Sequence, residues 1–115
     1  MCIRDSTPDP TARKYWITNG AVHAHYCVVF ARLIVKGEDE GIHGFLVPIR
    51  DEKLKMMPGV TVWDMGHKIG CNGVDNGSIG FDQVRIPRLN MLNTTSRSTK
   101  TEISQAASRA SVEDF

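Results

Sequence analysis

Short apolar stretches separated by turn residues divide most of the chain into extended segments. Their β-branched and aromatic residues, in alternating or continuous apolar patterns, predict five strands at residues 14–18, 26–35, 42–49, 60–63 and 78–86. The connections are short and carry no helical periodicity, whereas parallel strands need long crossovers. The pattern therefore predicts a mainly β protein, either an antiparallel barrel or a sandwich.

The longest apolar stretch, residues 26–35, has Arg32 as its one charged residue. Apolar side chains occupy both odd and even positions, so we expect both faces of this strand to be covered. Residues 36–41 follow, with three acidic residues, one lysine and two glycines. Because charges are hard to bury and glycine adopts turn conformations, this segment is predicted to be a solvated turn.

The last predicted strand changes its apolar parity along its length. The apolar side chains of residues 78–81 fall on odd positions, whereas those of residues 84–86 fall on even positions. A slip of one residue predicts a β-bulge between the two halves. The dipeptide Asn76-Gly77 just before this strand is typical of a tight turn.

Both ends of the chain differ from this pattern. Residues 1–6 are similar to a translated sequencing-library adapter, so we interpret them as an adapter-derived scar and the chain as a fragment. Residues 94–115 are rich in Ser and Thr and are interpreted as a tail of uncertain origin. A capping-box pattern and helical spacing predict a weak C-terminal helix in this tail, through Ile103, Ala106, Ala107 and Ala110.

Composition narrows the functional classes without identifying one. The 115 residues include 14 Lys and Arg against 13 Asp and Glu, a formal net charge of +1, which argues against electrostatic nucleic-acid binding. No apolar run approaches the roughly 20 residues of a membrane-spanning helix. Cys27 and Cys71, the cysteines outside the first six residues, form no CxxC motif. We therefore expect no disulfide scaffold and a reducing compartment.

The segment His23-x-His25-x-Cys27 is the main candidate for metal binding. On a strand, alternation would bring the three side chains to one face, and imidazole and thiolate groups suit zinc or iron. The segment is also similar to the start of a cupin metal motif, but residues 28–31 lack the carboxylate that should follow. We predict no metal site; a cupin-like metal-binding barrel and a barrel without a ligand remain alternatives.

The glycine-rich segment of residues 66–77 carries no nucleotide-binding motif. It fits neither GxGxxG nor GxxxxGKS/T, so turn geometry accounts for its glycines. The chain also lacks the GxSxG motif of serine hydrolases. Cys71, which lies among these glycines, is interpreted as a small packed residue rather than a nucleophile.

Residues 14–20, with the sequence KYWITNG, carry a more specific pattern. Trp16 can present a broad face to a planar ligand, and the Thr18 hydroxyl beside it can donate and accept hydrogen bonds. This segment resembles the flavin-contacting strand of the acyl-CoA dehydrogenase and oxidase superfamily.

Three further segments, in the family's order, resemble the peroxisomal acyl-CoA oxidases. They are GIHGFLVPIR at residues 41–50, GHKIGCNGVDNG at residues 66–77, and FD with VRIPRxNML within residues 81–92. The resemblance extends over residues 7–93. It implies that this stretch is the family's middle β-domain, a small antiparallel β-barrel between two helical regions.

The resemblance also implies a cofactor, a reaction and a location. In these enzymes the residues that match Trp16, Ile17 and Thr18 line the flavin ring of FAD, with Thr18 near its redox-active edge. A glutamate takes the α-proton of acyl-CoA while the β-hydride goes to the flavin. Oxidases then reduce O2 to H2O2 and release trans-2-enoyl-CoA. The resemblance further implies peroxisomal fatty-acid β-oxidation and a homodimer when full length.

Two differences from the oxidases bear on these expectations. Oxidases commonly have Gly at the position of Thr18, where Thr is typical of dehydrogenases. An acyl-CoA dehydrogenase that passes electrons to a flavoprotein acceptor is therefore the alternative. The family's catalytic glutamate lies in a C-terminal helical region outside residues 7–93, so no catalytic residue is assigned and the fragment is not expected to be active alone.

Overall fold

A computed structural model describes residues 2–92 and 107–109. Within them the chain forms nine strands: β1 (Cys2–Ser6), β2 (Lys14–Thr18), β3 (Tyr26–Val35), β4 (Glu38–Pro48), β5 (Val60–Asp64), β6 (Asn76–Phe81), β7 (Val84–Pro87), β8 (Met91–Leu92) and β9 (Ala107–Arg109). The same residues contain two short 3-10 helices, Pro10–Ala12 and Arg88–Asn90. No helix in this part of the chain has the length and apolarity needed to cross a membrane.

The strands form two sheets that contribute to one apolar core. The larger sheet has the order β7-β1-β9-β3-β4-β8, and the smaller sheet has the order β2-β6-β5. Neighbouring strands are antiparallel apart from β1 and β9. The predicted mainly β, antiparallel fold is confirmed. Across the described residues the strands form two sheets rather than one closed barrel.

Strand β3 shows how the core is built. Its odd-numbered side chains within residues 29–33 are buried, together with Ile79 and Phe81 from the smaller sheet. The even-numbered side chains Val28 and Phe30 are exposed instead. Within the described residues this strand is therefore covered on one face only, and the expectation of cover on both faces is not met.

The hairpin between β3 and β4 turns at Lys36 and Gly37, whose φ angles are 51° and 82°. Val35 pairs directly with Glu38, so the turn has two residues, fewer than the predicted turn over residues 36–41. Positive φ at both central positions matches the right-handed twist of the flanking strands. The charged residues that follow the turn are therefore exposed strand residues.

The segment predicted as one bulged strand is two strands in different sheets. β6 pairs within the smaller sheet, the chain bends at Asp82 and Gln83, and β7 pairs with β1 in the larger sheet. The bulge prediction is wrong, because the change of apolar parity marks the passage from one sheet to the other. The tight turn predicted at Asn76-Gly77 is also wrong, since both residues are buried at the start of β6.

Both ends of the described chain lie in the larger sheet. Cys2–Ser6 form β1, which pairs with β7 and buries Ile3 completely. Their adapter origin stays a prediction, as do the predicted domain boundaries. The weak helix predicted in residues 94–115 lies outside the described residues except at Ala107–Arg109. There it is wrong, because these residues pair as a strand with β1 and β3.

Candidate functional site

Strand β2 reaches its partner β6 through a break in register. Lys14 pairs with Ile79 and Ile17 pairs with Gly77, so β2 has one residue more than β6 between these pairs. Trp16 lies in this bulge with a φ angle of 60°, a left-handed conformation that a bulky side chain rarely adopts. Its indole is 53% exposed. Backbone strain that persists at an exposed aromatic residue points to a functional role.

Thr18 lies at the end of β2, two residues beyond the bulge. It pairs with Asn76 of β6, and the Asn76 side-chain amide donates a hydrogen bond to the Thr18 hydroxyl oxygen across 3.3 Å. Asn76 is only 3% exposed, whereas Thr18 is exposed. Because the Thr18 oxygen accepts from Asn76, its hydroxyl hydrogen can point toward a ligand in front of the strand.

Ile17 differs from its two neighbours in orientation. It is half-buried and packs against the core, whereas Trp16 and Thr18 are exposed. Its carbonyl accepts a hydrogen bond of 3.3 Å from the Gly20 amide. Of the three predicted site residues, Trp16 and Thr18 are therefore exposed, whereas the side chain of Ile17 packs against the core.

The loop after β2, residues 19–24, is held from two sides. The backbone carbonyl of Asp75 accepts from the Asn19 amide at 3.0 Å, and the Asp75 carboxylate accepts from the Ala21 amide at 2.9 Å. On the other side, the Arg50 guanidinium donates to three carbonyl oxygens of this loop. Sequence reasoning missed both residues, since their partners are backbone atoms with no side-chain pattern to read.

A cavity of about 140 Å³ lies behind β2 and has mainly apolar walls, which include Ile17, Cys27 and Phe30. The Lys14 ammonium donates to the Phe30 carbonyl at 2.8 Å, and burial lowers the pKa of Lys14 while Asp5 opposes this shift. Burial, with a smaller contribution from Asp5, raises the pKa of the Cys27 thiol to about 12. A pKa this far above neutrality keeps the Cys27 thiol protonated at pH 7 and disfavours the thiolate.

On the face of the smaller sheet that carries Thr18, β6 presents polar side chains. Cross-strand pairing aligns Thr18 with Asn76 and Trp63 with Ser78, so these residues share one face. The Arg13 guanidinium stacks over the Trp63 ring, 3.2 Å from its centroid. The Ser78 hydroxyl is buried and has no hydrogen-bond partner within the described part of the chain, a feature that fits a face completed by a polar ligand or another segment.

The residues of the metal hypothesis are not brought together. β3 begins at Tyr26, so His23 and His25 precede the strand and are exposed, whereas Cys27 lines the cavity. The predicted common face is wrong for this reason. Among residues 2–92 and 107–109, no group of three or more His, Cys, Asp or Glu side chains could hold a metal ion. Cys71 is exposed, so its interpretation as a packed residue is also wrong.

A protein-family model and several known proteins are similar to this chain. Residues 11–84 match the family model described as acyl-CoA dehydrogenase, middle domain. The chain is 54% identical over 94 residues to the peroxisomal acyl-coenzyme A oxidase 2 of Arabidopsis thaliana. It is 55% identical over 86 residues to an acyl-coenzyme A oxidase-like protein of Mus musculus. These matches cover 76% and 75% of this chain but only 14% and 13% of the length of the relatives.

Solved structures show the same fold. Acyl-CoA oxidase 1 from Yarrowia lipolytica superposes with a TM-score of 0.81 at 44% identity, over 84% of this chain and 14% of that protein. Acyl-CoA oxidase-1 from Caenorhabditis elegans, in a structure complexed with FAD and ATP, superposes with a TM-score of 0.79 at 36% identity. That match covers 86% of this chain and 17% of the other.

Proposed function

Because this chain belongs to the acyl-CoA dehydrogenase middle-domain family, we propose that it is the flavin-facing β-domain of an FAD-dependent acyl-CoA oxidase. The complete enzyme converts acyl-CoA and O2 to trans-2-enoyl-CoA and H2O2 in fatty-acid β-oxidation. Its relatives at about half identity are named acyl-coenzyme A oxidases, and three of them carry the word peroxisomal. These names support a peroxisomal location for the complete enzyme.

The single observation that carries this proposal is the exposed Trp16 on a strained bulge, two residues before the exposed residue Thr18. When bound, FAD supplies the oxidising group that accepts a hydride from the substrate. Trp16 offers a face for stacking against the flavin ring. Thr18 would offer its hydroxyl as a hydrogen-bond donor to a polar atom of the cofactor, and Ile17 supports the strand from the core side. The residues present therefore fit a planar cofactor with polar edges.

This domain positions the cofactor and does not remove the substrate proton. The family's catalytic glutamate is expected outside residues 7–93, so the complete protein, which we expect to be a homodimer, is needed for turnover. Acyl-CoA and O2 are its substrates.

The test uses the full-length protein that contains this chain. Incubated with an acyl-CoA in aerated buffer, it should release one H2O2 for each enoyl-CoA formed, without an added electron acceptor. Turnover that requires an artificial acceptor, with no H2O2, would identify a dehydrogenase and contradict the oxidase assignment. Thr18, which is dehydrogenase-like among these proteins, makes this comparison necessary.

A further inference from the structure

We propose that Arg50 and Asp75 are positioning residues that fix the flavin-facing strand by holding the loop of residues 19–24 from opposite sides. This inference rests on the proposed function, because it assigns the loop a role in presenting Trp16 and Thr18 to FAD. Arg50 holds the loop through its carbonyl oxygens, and Asp75 holds it through its amides.

Arg50 makes three hydrogen bonds to backbone carbonyls of one short loop. Its Nη1 donates to the Ala24 oxygen at 2.9 Å, and its Nη2 donates to the Gly20 and Ala21 oxygens at 2.9 and 2.8 Å. The side chain is 6% exposed. A planar guanidinium with donors in a fixed fork suits such convergent acceptors, and an ammonium cannot reproduce the geometry.

The backbone of Arg50 is itself anchored, so the guanidinium acts from a fixed point. The amides of Ile49 and Arg50 both donate to the His25 carbonyl, at 2.8 and 3.2 Å, and Arg50 forms an isolated bridge with Met56. The end of β4 is thereby tied to the residue just before β3. The loop between β2 and β3 is fixed relative to the larger sheet.

Asp75 holds the same loop from the smaller sheet. Its carbonyl and carboxylate accept from the Asn19 and Ala21 amides at 3.0 and 2.9 Å. The next residue, Asn76, donates to the Thr18 hydroxyl. Two consecutive residues, one just before β6 and one at its start, therefore set the loop position, through Asp75, and the direction of the Thr18 hydroxyl, through Asn76.

The conformation of β2 needs such external support. Trp16 and Asn19 have φ angles of 60° and 61°, and strained conformations of this kind persist only where surrounding contacts impose them. The hydrogen bond that the Gly20 amide of the loop donates to the Ile17 carbonyl of β2 is long, at 3.3 Å. Arg50 and Asp75 supply the shorter contacts, so they determine where Trp16 and Thr18 lie.

The experiment uses the full-length protein with the variants Arg50→Gln, Arg50→Lys, Asp75→Ala and Asp75→Asn. Asp75→Asn keeps an acceptor for the Ala21 amide, and Asp75→Ala removes it. Arg32→Gln is the matched control, since Arg32 makes an exposed ion pair with Asp39 at 3.0 Å. The readouts are the FAD dissociation constant and the visible circular dichroism of the bound flavin, with far-UV thermal unfolding to report the fold.

We expect Arg50→Gln and Asp75→Ala to weaken FAD binding about tenfold, the effect of losing one or two hydrogen bonds, and to change the visible dichroism in the same way. Arg50→Lys should give a smaller change of the same kind, while Asp75→Asn and Arg32→Gln should match the wild type. If Arg50→Gln does not fold, the comparison of Asp75→Ala with Asp75→Asn decides.

Wild-type dichroism and FAD affinity in both Arg50→Lys and Asp75→Ala would overturn this inference and leave the proposed function intact. A wild-type protein that takes up no FAD would instead overturn the proposed function, and this inference with it. The two failures are therefore distinguishable in one series of measurements.

Discussion

The side-chain amide of the buried residue Asn76 donates to the hydroxyl of the exposed residue Thr18 across 3.3 Å, and this contact joins the first residue of β6 to the last residue of β2. The Asn76 N–H takes up one lone pair of the Thr18 oxygen. The Thr18 hydroxyl hydrogen therefore points away from Asn76, toward solvent or a bound ligand. A ligand acceptor in front of β2 would then meet an oriented donor.

Replacing the Thr18 hydroxyl should change the redox properties of the bound cofactor. In Thr18→Val we expect the reduction potential of FAD to become more negative by about 10–30 mV, because a donor that stabilises the more negative reduced form is lost. Thr18→Ser keeps the hydroxyl and should stay near the wild-type value. Equal potentials for the Val and Ser variants, measured by equilibrium dye reduction, would contradict this role.

In the complete enzyme, truncating Trp16 should weaken FAD binding without destabilising the fold. The indole is about half exposed, so Trp16→Ala removes a stacking face worth about 0.5–1.5 kcal/mol and little core packing. We expect FAD retention on gel filtration to fall several-fold while the unfolding temperature changes little. Retention equal to that of the wild type would exclude the contact assigned to Trp16.

A second variant at the same position separates stacking from backbone strain. Trp16→Gly loses the same stacking face but relieves the left-handed φ of 60°. Both variants should therefore bind FAD equally weakly, with the glycine variant more stable than the alanine variant by about 0.5–1 kcal/mol. The order of their denaturation midpoints is the measurement.

Cys27 should make the stability of the 115-residue chain fall at alkaline pH. Burial raises its pKa from the ordinary 9.0 to about 12, so above pH 9 the unfolded chain releases a proton that the folded chain retains. The stabilisation is complete below pH 9 and is lost as pH rises through about 12. Cys27→Ala should flatten the stability profile in this window relative to the wild type.

Cys71→Ala is the control for that profile, since Cys71 is exposed and carries the same thiol without the burial. We expect its urea unfolding curves to follow the wild-type pH dependence. The prediction is wrong if Cys27→Ala and Cys71→Ala have the same slope between pH 9 and 11.

Gly59 should not tolerate a side chain. Its φ is +81°, and an added Cβ would clash with the Asp82 carbonyl oxygen. The Asp82 amide also donates a hydrogen bond of 2.8 Å to the Gly59 carbonyl, which holds the two backbones together. We expect Gly59→Ala to lower the free energy of unfolding by more than about 2 kcal/mol, since a backbone clash adds to the strain.

Gly66 offers a matched comparison, because its φ is +73° but nothing lies within 4 Å of an added Cβ. Gly66→Ala carries the conformational penalty alone, about 1 kcal/mol. Chemical denaturation of the two variants separates the clash from the backbone term. Equal losses at the two sites would rule out the contact with Asp82 as the cause.

Local residue patterns predicted two strands with their full extent. The bounds of β2 and β3 match the predicted ones, because β-branched and aromatic runs bounded by turn residues specify a strand without distant partners. Residue type on this strand also singled out Trp16 and Thr18 as candidate ligand-contacting residues, and their contact with a flavin stays a prediction. The bulge that exposes Trp16 depends on the register with β6 and was not predictable from β2 alone.

Contacts across the fold account for what was missed. Asn76-Gly77 has turn chemistry, but the Asn76 amide bonds to Thr18, and a Cβ on Gly77 would lie 3.3 Å from the Ala21 nitrogen. Inside β6, Asn76 therefore makes a side-chain hydrogen bond and Gly77 allows a close backbone approach, and neither forms a turn. Arg50 was read as part of a family motif, and its partners are carbonyls 26 to 30 residues away.

The chain bends at Asp82 and Gln83, so that β6 before the bend pairs in the smaller sheet and β7 after it pairs in the larger sheet. Thr7 strengthens this link, because its amide donates to the Phe81 carbonyl at 2.7 Å and its hydroxyl accepts from the Phe81 amide at 2.9 Å. Both sheets also bury side chains in the same apolar core, so opening one sheet exposes part of the core of the other. The two sheets should therefore melt in a single cooperative transition, with tryptophan fluorescence from the smaller sheet and backbone dichroism from both lost at the same denaturant concentration.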